Sequence, residues 1–281
     1  MSSSGKAGMD VAMRETTRRE ALKLAGGAAL LVCAGARAGR SALAQEASPV
    51  ASPAGGNGLL GKYVVIRIRR VKPDRSADEL MALIQDGFVP LLEEVPGFIW
   101  YVAGANPETR DFFSVGIFAD KAGAAESTRQ AAEWGKLGTA DFVEGDPTVY
   151  EGEIGVATES SGAAVTGSPE ALAASGELAG KYVLIRLRQP NPDWPVAQVM
   201  ELIGEGYVPL ARQIPGFVSY FGVADPGSGS QAYVGIFDDK TGADESTRVA
   251  REWLTENSYT FFAGDPTVAE GIIGVAAEAA V

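Results

Sequence analysis

The sequence predicts an α+β protein built from two copies of one domain, each running strand–helix–strand–strand–helix–strand. Residues 61–157 align with residues 180–276 without a gap, and about half of the paired positions are identical. Within each copy, β-branched runs with strand-like alternation are separated by helical patterns that open on capping signals. Between the copies, residues 158–179 begin TESSGAAVTGSPEALAASGEL, a Ser/Ala/Gly-rich linker.

The elements of the first copy are legible in order. Tyr63–Val71 alternates and is rich in β-branched residues, so it reads as a strand. Ser76-x-x-Glu79 is a capping box opening a helix with apolar Leu80, Leu83 and Ile84. Gly87 and Pro90 bend or restart that helix, which stops before Pro96-Gly97. Phe98–Ala105 is a second strand, Asn106-Pro107 a turn, and Phe112–Phe118 a third strand. Asp120 caps a second helix running to about Leu137. Thr148–Ala157 is a fourth strand, and the preceding Gly-Asp-Pro (Gly145–Pro147) reads as a turn with an Asx cap. The resulting βαββαβ order is the ferredoxin-like plan.

Two surfaces within each copy carry candidate chemistry. On the second helix, Ala124, Ser127, Thr128, Ala131 and Trp134 form one stripe, repeated as Ala243, Ser246, Thr247, Ala250 and Trp253. Small residues let the helix lie close to a sheet, and the tryptophan fills the end of the stripe. The alternative places Trp134 and Trp253 on a ligand cavity. Glu126, Arg129 and Glu133, with Glu245, Arg248 and Glu252, occupy a flanking face as a solvated ion-pair ladder.

Strand 1 separates Tyr63, Val65, Arg67 and Arg69 from Val64, Ile66 and Ile68. The expectation is that the aliphatic row packs under the helices while the tyrosine–arginine row faces the space between two sheets. Arg67 and Arg186 would there pair with Glu151 and Glu270, or hold an anionic ligand. Tyr101 and Tyr220 match on strand 2. Trp100 becomes Ser219, and Phe112-Phe113-Ser114 becomes Gln231-Ala232-Tyr233, so two pockets, if both exist, are not equivalent. Candidate pocket residues are Arg67, Arg69, Tyr101 and Trp134 in the first copy and Arg186, Arg188, Tyr220 and Trp253 in the second. No residue is assigned a catalytic role, and no metal ligand set is predicted.

Composition narrows the chemistry. The chain carries a net charge of −12, against nucleic acid as a partner. It has no histidine and one cysteine, which removes His-based acid–base catalysis, histidine ligation of haem or zinc, and every Cys/His metal motif.

The N-terminal segment reads as an address. Arg18-Arg19, Leu22 and Lys23 precede LAGGAALLVCAGA, which resembles a twin-arginine export signal. Ala42-Leu43-Ala44 fits a cleavage site, giving a signal over 1–44, a flexible Pro/Ser/Ala/Gly tether over 45–60, and a short tail over 277–281. The apolar run is too short, and too interrupted by Arg37 and Arg40, to remain as a membrane span. Periplasmic or extracellular residence is expected. Lipid attachment at Cys33 is disfavoured by the bulk of Val32 before it.

The element order, the domain length, GFVPLLEEVPGF, and the strand leading into DKAGAAESTRQAAEW together resemble the dimeric α/β-barrel superfamily, and within it the antibiotic-biosynthesis-monooxygenase-like domains. The resemblance implies that the two ferredoxin-like domains join their sheets into a barrel inside one chain, a monomeric pseudo-dimer. It also implies a cofactor-free oxygenase acting on a small aromatic or quinone-like substrate, or a secreted module of the same fold that binds a small hydrophobic or aromatic ligand without turnover. The haem-degrading branch is set aside because its axial histidine has no counterpart here.

Overall fold

The computed structural model describes residues 58–159 and 178–279. The expected export signal, most of the tether, residues 160–177 of the expected linker and the last two residues lie outside the described residues.

The first repeat contains β1 (Tyr63–Val71), α1 (Ala77–Leu83), α2 (Val89–Glu93), β2 (Phe98–Ala105), β3 (Asp111–Phe118), α3 (Lys121–Leu137) and β4 (Val143–Glu159). The second contains β5 (Tyr182–Pro190), α4 (Val196–Leu202), α5 (Val208–Ala211), β6 (Phe217–Ala224), β7 (Gln231–Phe237), α6 (Lys240–Glu256) and β8 (Phe262–Glu278). Ser76 and Asp120 cap their helices through their own side chains, and the Glu79 half of the expected capping box is not formed. Ser76 Oγ accepts the backbone N–H of Asp78 at 3.2 Å, and Asp120 Oδ1 accepts those of Ala122 and Gly123 at 2.9 and 3.0 Å. Between α1 and α2, a π-helical turn over Ile84–Phe88 absorbs the restart enforced by Pro90. Gly87 in this turn is required by close approach, since a Cβ there would meet Trp134 Nε1 at 2.9 Å.

The eight strands close into one antiparallel barrel in the order β1-β3-β2-β8-β5-β7-β6-β4. Each repeat supplies four adjacent strands, and the seams are β2–β8 and β4–β6. The two 17-residue strands make both seams. β4 pairs with β1 from Val143 to Glu153 and continues onto β6 of the other repeat from Glu153 to Glu159. β8 does the same with β5 and then β2. Val156 thereby packs beneath the second repeat's helices, and Val275 and Ala277 beneath the first's. Glycine permits this exchange. A Cβ on Gly155 would approach Met200 Cγ to 2.9 Å, and one on Gly274 would approach Met81 Cγ to 2.5 Å.

Three apolar layers result. The barrel interior holds Val64, Ile66, Trp100, Phe113 and Ile117 against Val183, Ile185, Phe221, Val223 and Ile236. A helix–sheet layer lies outside it on each repeat. The predicted orientation of strand 1 is therefore reversed. Val64, Ile66 and Ile68 point into the barrel, while Tyr63, Val65 and Arg67 lie on the helix side. The interior is filled by buried apolar side chains, so the aliphatic row can be buried there without polar partners and the arginines cannot. The helices present hydroxyls, and those receive the arginines.

Two further expectations are corrected. Arg67 does not pair with Glu151, nor Arg186 with Glu270. Both guanidinium groups bond helix hydroxyls, and Glu270 lies 3.8 Å from Lys240 Nζ. Gly145–Pro147 is no turn ahead of a strand. It lies inside β4 at a bulge, where pairing with β1 shifts register between Ile68 and Arg70 and Gly145 adopts φ 62°.

Candidate functional site

In the first repeat the helices stand away from the sheet and leave a cavity of about 810 Å³. β1 contributes Arg67 and Arg69, β2 Tyr101, β3 Phe112 and Ser114, and α3 Thr128 and Trp134, with the bulge of β4 along one side. The barrel's period-2 alternation places these strand residues together. Arg67 faces Ser114 across the β1–β3 ladder, and Ser114 faces Ala103, two residues from Tyr101 on the same face. Trp134 stacks on Phe88 with ring centres 5.2 Å apart, and Phe88 meets Tyr101 edge-on at 5.9 Å. The result is an aromatic chamber with a small polar floor.

The floor is electrostatically biased. Arg67 Nη2 donates to Thr128 Oγ1 at 2.8 Å, and Thr128 Oγ1 in turn donates to the Ala124 carbonyl at 3.0 Å. Burial pulls the Arg67 guanidinium below its ordinary value, while Tyr101 and Glu151 push the other way. Burial also lifts the Tyr101 hydroxyl to about 12, opposed by the Arg67 charge and by a hydrogen bond with Ser114. At neutral pH Tyr101 is therefore a neutral donor and Arg67 a cation. A guanidinium offers five N–H donors, and among the described residues one Arg67 bond is found. Its remaining donors are available to an anion in the cavity.

The second repeat places Arg186, Arg188, Tyr220 and Trp253 in the same relation, but the space among them is about 40 Å³. Here Arg186 is buried and bonds both Ser246 Oγ at 3.3 Å and Thr247 Oγ1 at 2.8 Å. Tyr207 shares a hydrogen bond with Ser246 Oγ at 2.8 Å. The first repeat has Phe88 at the position of Tyr207, and Ser127 Oγ, which matches Ser246 Oγ, is buried with no partner among the described residues. The eight candidate pocket residues thus fall into two groups of four, one around an open chamber and one around a filled one. Ser114, Thr128, Phe112 and the β4 bulge also border the chamber and are not among the eight candidate residues. The change of Ser114 to Tyr233 was their visible signal.

The remaining predicted features lie elsewhere. Arg129 bridges Glu126 at 2.6 Å and Glu133 at 2.8 Å on the exposed face of α3, and Arg248 bridges Glu245 at 2.6 Å and also Glu252 on α6. Hydrogen bonds from Arg129 and Gln130 hold the Glu126 carboxyl down at about 2. They are surface ladders outside both chambers.

The closed eight-strand barrel of two βαββαβ units, with its chamber between helices and sheet, decides the fold. It is a dimeric α/β barrel. Solved structures of this kind are similar over most of the chain. A candidate monooxygenase from Fusobacterium nucleatum matches with TM-score 0.56 and 14% identity, covering 78% of this chain and 95% of its own. A candidate monooxygenase from Lactobacillus acidophilus gives 0.52 and 10%, with coverage of 78% and 96%. An anthrone oxidase-like protein gives 0.53 and 12%, with coverage of 78% and 94%. No family model and no curated protein matches the chain. In this α/β barrel both halves belong to one polypeptide. No described helix is long and apolar enough to cross a membrane.

Proposed function

We propose that this protein is an exported, single-chain dimeric α/β barrel that takes a small aromatic phenol or enol into the first repeat's chamber and oxidises it with dioxygen, without a cofactor. The carrying observation is the incompletely bonded Arg67 on the floor of an apolar, aromatic-walled chamber of about 810 Å³, a volume within the roughly 300–1,000 Å³ of small-molecule sites. Ionisation of such a substrate raises its electron density toward dioxygen. Arg67 stabilises the resulting oxyanion, and the neutral Tyr101 hydroxyl donates a hydrogen bond to it. For an anthrone-like substrate the reaction balances when the ring CH₂ becomes C=O, one oxygen atom entering the carbonyl and the other leaving in water. The likeness to an anthrone oxidase-like protein supports this substrate class as a starting panel.

A second reading is binding without turnover. It is favoured by the proton acceptors at hand. Tyr101 remains protonated until about pH 12, and the carboxylates bordering the chamber, Glu144 and Asp146, are exposed on the β4 bulge. Oxygen uptake with anthrone and dihydroxyarenes, without added metal or cofactor, tests the two readings. Uptake abolished by Arg67→Gln supports the oxygenase. No uptake, with the same compounds raising the melting temperature, supports the binding module. Neither uptake nor a thermal shift sinks both.

Export by the twin-arginine route and a monomeric state belong to the same proposal. Replacing Arg18 and Arg19 together by lysine should retain the protein in the cytoplasm, and native mass spectrometry should give a single-chain mass.

A further inference from the structure

The two chambers differ through a coordinated set of substitutions. Ser114, Gly135, Ala140 and Val143 border the open one. The aligned residues of the second repeat are Tyr233, Leu254, Tyr259 and Phe262, each larger. Their rings are held in defined poses. Tyr233 lies nearly parallel to Tyr220, at 13° with centres 6.2 Å apart, and Phe262 meets Tyr233 edge-on at 5.7 Å. The Arg188 guanidinium covers Phe262 at 4.7 Å. Tyr259 packs on Trp253 at 5.1 Å. The Tyr233 hydroxyl donates to buried Gln231 Oε1, where the first repeat has Phe112.

We propose that the second repeat is occupied by its own side chains, which stand where the first repeat's ligand sits. The chain then binds one ligand, in the first chamber alone, and the plug displays the recognition chemistry. One aromatic ring lies against Tyr101 as Tyr233 lies against Tyr220. A second aromatic edge lies beneath Arg69 as Phe262 lies beneath Arg188. The ligand class is a multi-ring phenol, because a single ring fills one of these two places only. This rests on the first chamber being the ligand site.

The test is binding stoichiometry with 1,8-dihydroxyanthraquinone, by calorimetry and native mass spectrometry. It uses the native chain, a plugged chain (Ser114→Tyr with Val143→Phe) and an opened chain (Tyr233→Ser with Phe262→Val), each checked for its fold by circular dichroism. The expected equivalents are one, none and two. Should the opened chain not fold, the plugged chain decides by itself. A native chain that binds nothing removes the first chamber as a site for this ligand class, and the inference with it. Two equivalents in the native chain, or one retained by a folded plugged chain, overturns the plug while leaving ligand binding intact.

Discussion

Arg67 Nη2 and Thr128 Oγ1 are 2.8 Å apart, and Arg186 Nη2 and Thr247 Oγ1 are 2.8 Å apart. The same strand-to-helix bond survives in both repeats, yet one arginine borders a chamber and the other is sealed in. What differs is the shell around the bond. Tyr207 and Ser246 complete it in the second repeat, whereas Phe88 and an unpartnered Ser127 leave it incomplete in the first.

Arg67→Gln should therefore weaken binding of an anionic aromatic about 10- to 100-fold, the range of one hydrogen bond to a charged group. The fold should persist, because the arginine borders the open chamber and the shorter glutamine leaves no enclosed void there. Calorimetry of the variant beside a circular dichroism spectrum checks both halves of this expectation.

Phe88→Tyr should stabilise the protein. The added hydroxyl reaches the position from which Tyr207 bonds Ser246, and would give Ser127 Oγ its missing partner. The gain expected for one buried hydrogen bond is about 0.5–1.5 kcal/mol, measurable by urea unfolding. An unchanged midpoint would show that Ser127 is already satisfied by water.

The two matched tryptophans should respond unequally to alanine. Trp253 is buried among Tyr207, Tyr259 and Phe261, so Trp253→Ala should cost about 3–5 kcal/mol. Trp134 borders a chamber and is half-buried. Its removal should cost less stability and should weaken ligand binding more. Denaturant melts and ligand titrations of both variants separate the two effects.

Alkaline pH should destabilise the fold through its buried tyrosines. Tyr101 titrates near 12 in the folded state, above its ordinary value near 10. Between those values the unfolded chain loses the proton and the folded chain keeps it, so stability is intact below about pH 10 and falls as pH rises toward 12. Two units correspond to about 2–3 kcal/mol for this one group. Tyr101→Phe should flatten the decline, read as unfolding free energy against pH.

Much of the fold was legible in the residues because its determinants are local. Strand alternation marked β1 to within its observed ends, Ser76 and Asp120 marked helix starts, and the repeat itself announced two copies. The eight candidate pocket residues came from identity between repeats combined with side-chain chemistry. The facing of strand 1 went the other way because alternation separates two faces without saying which is which. That assignment depends on what each face meets across the barrel.

The sequence by itself determined the order of the elements, the duplication and the lack of histidine, since each follows from residues close together or from composition, while the fourth strand, read as Thr148–Ala157, extends over Val143–Glu159. Tertiary structure alone decided that the arginines lie under the helices, that β4 and β8 exchange their ends between repeats, and that one chamber is open while its twin is full. Those outcomes depend on distant side chains competing for the same volume. Ser114 and Tyr233 differ at one aligned position, but only packing against Tyr101, Tyr220 and Phe262 turns that difference into a cavity in one repeat and a filled core in the other.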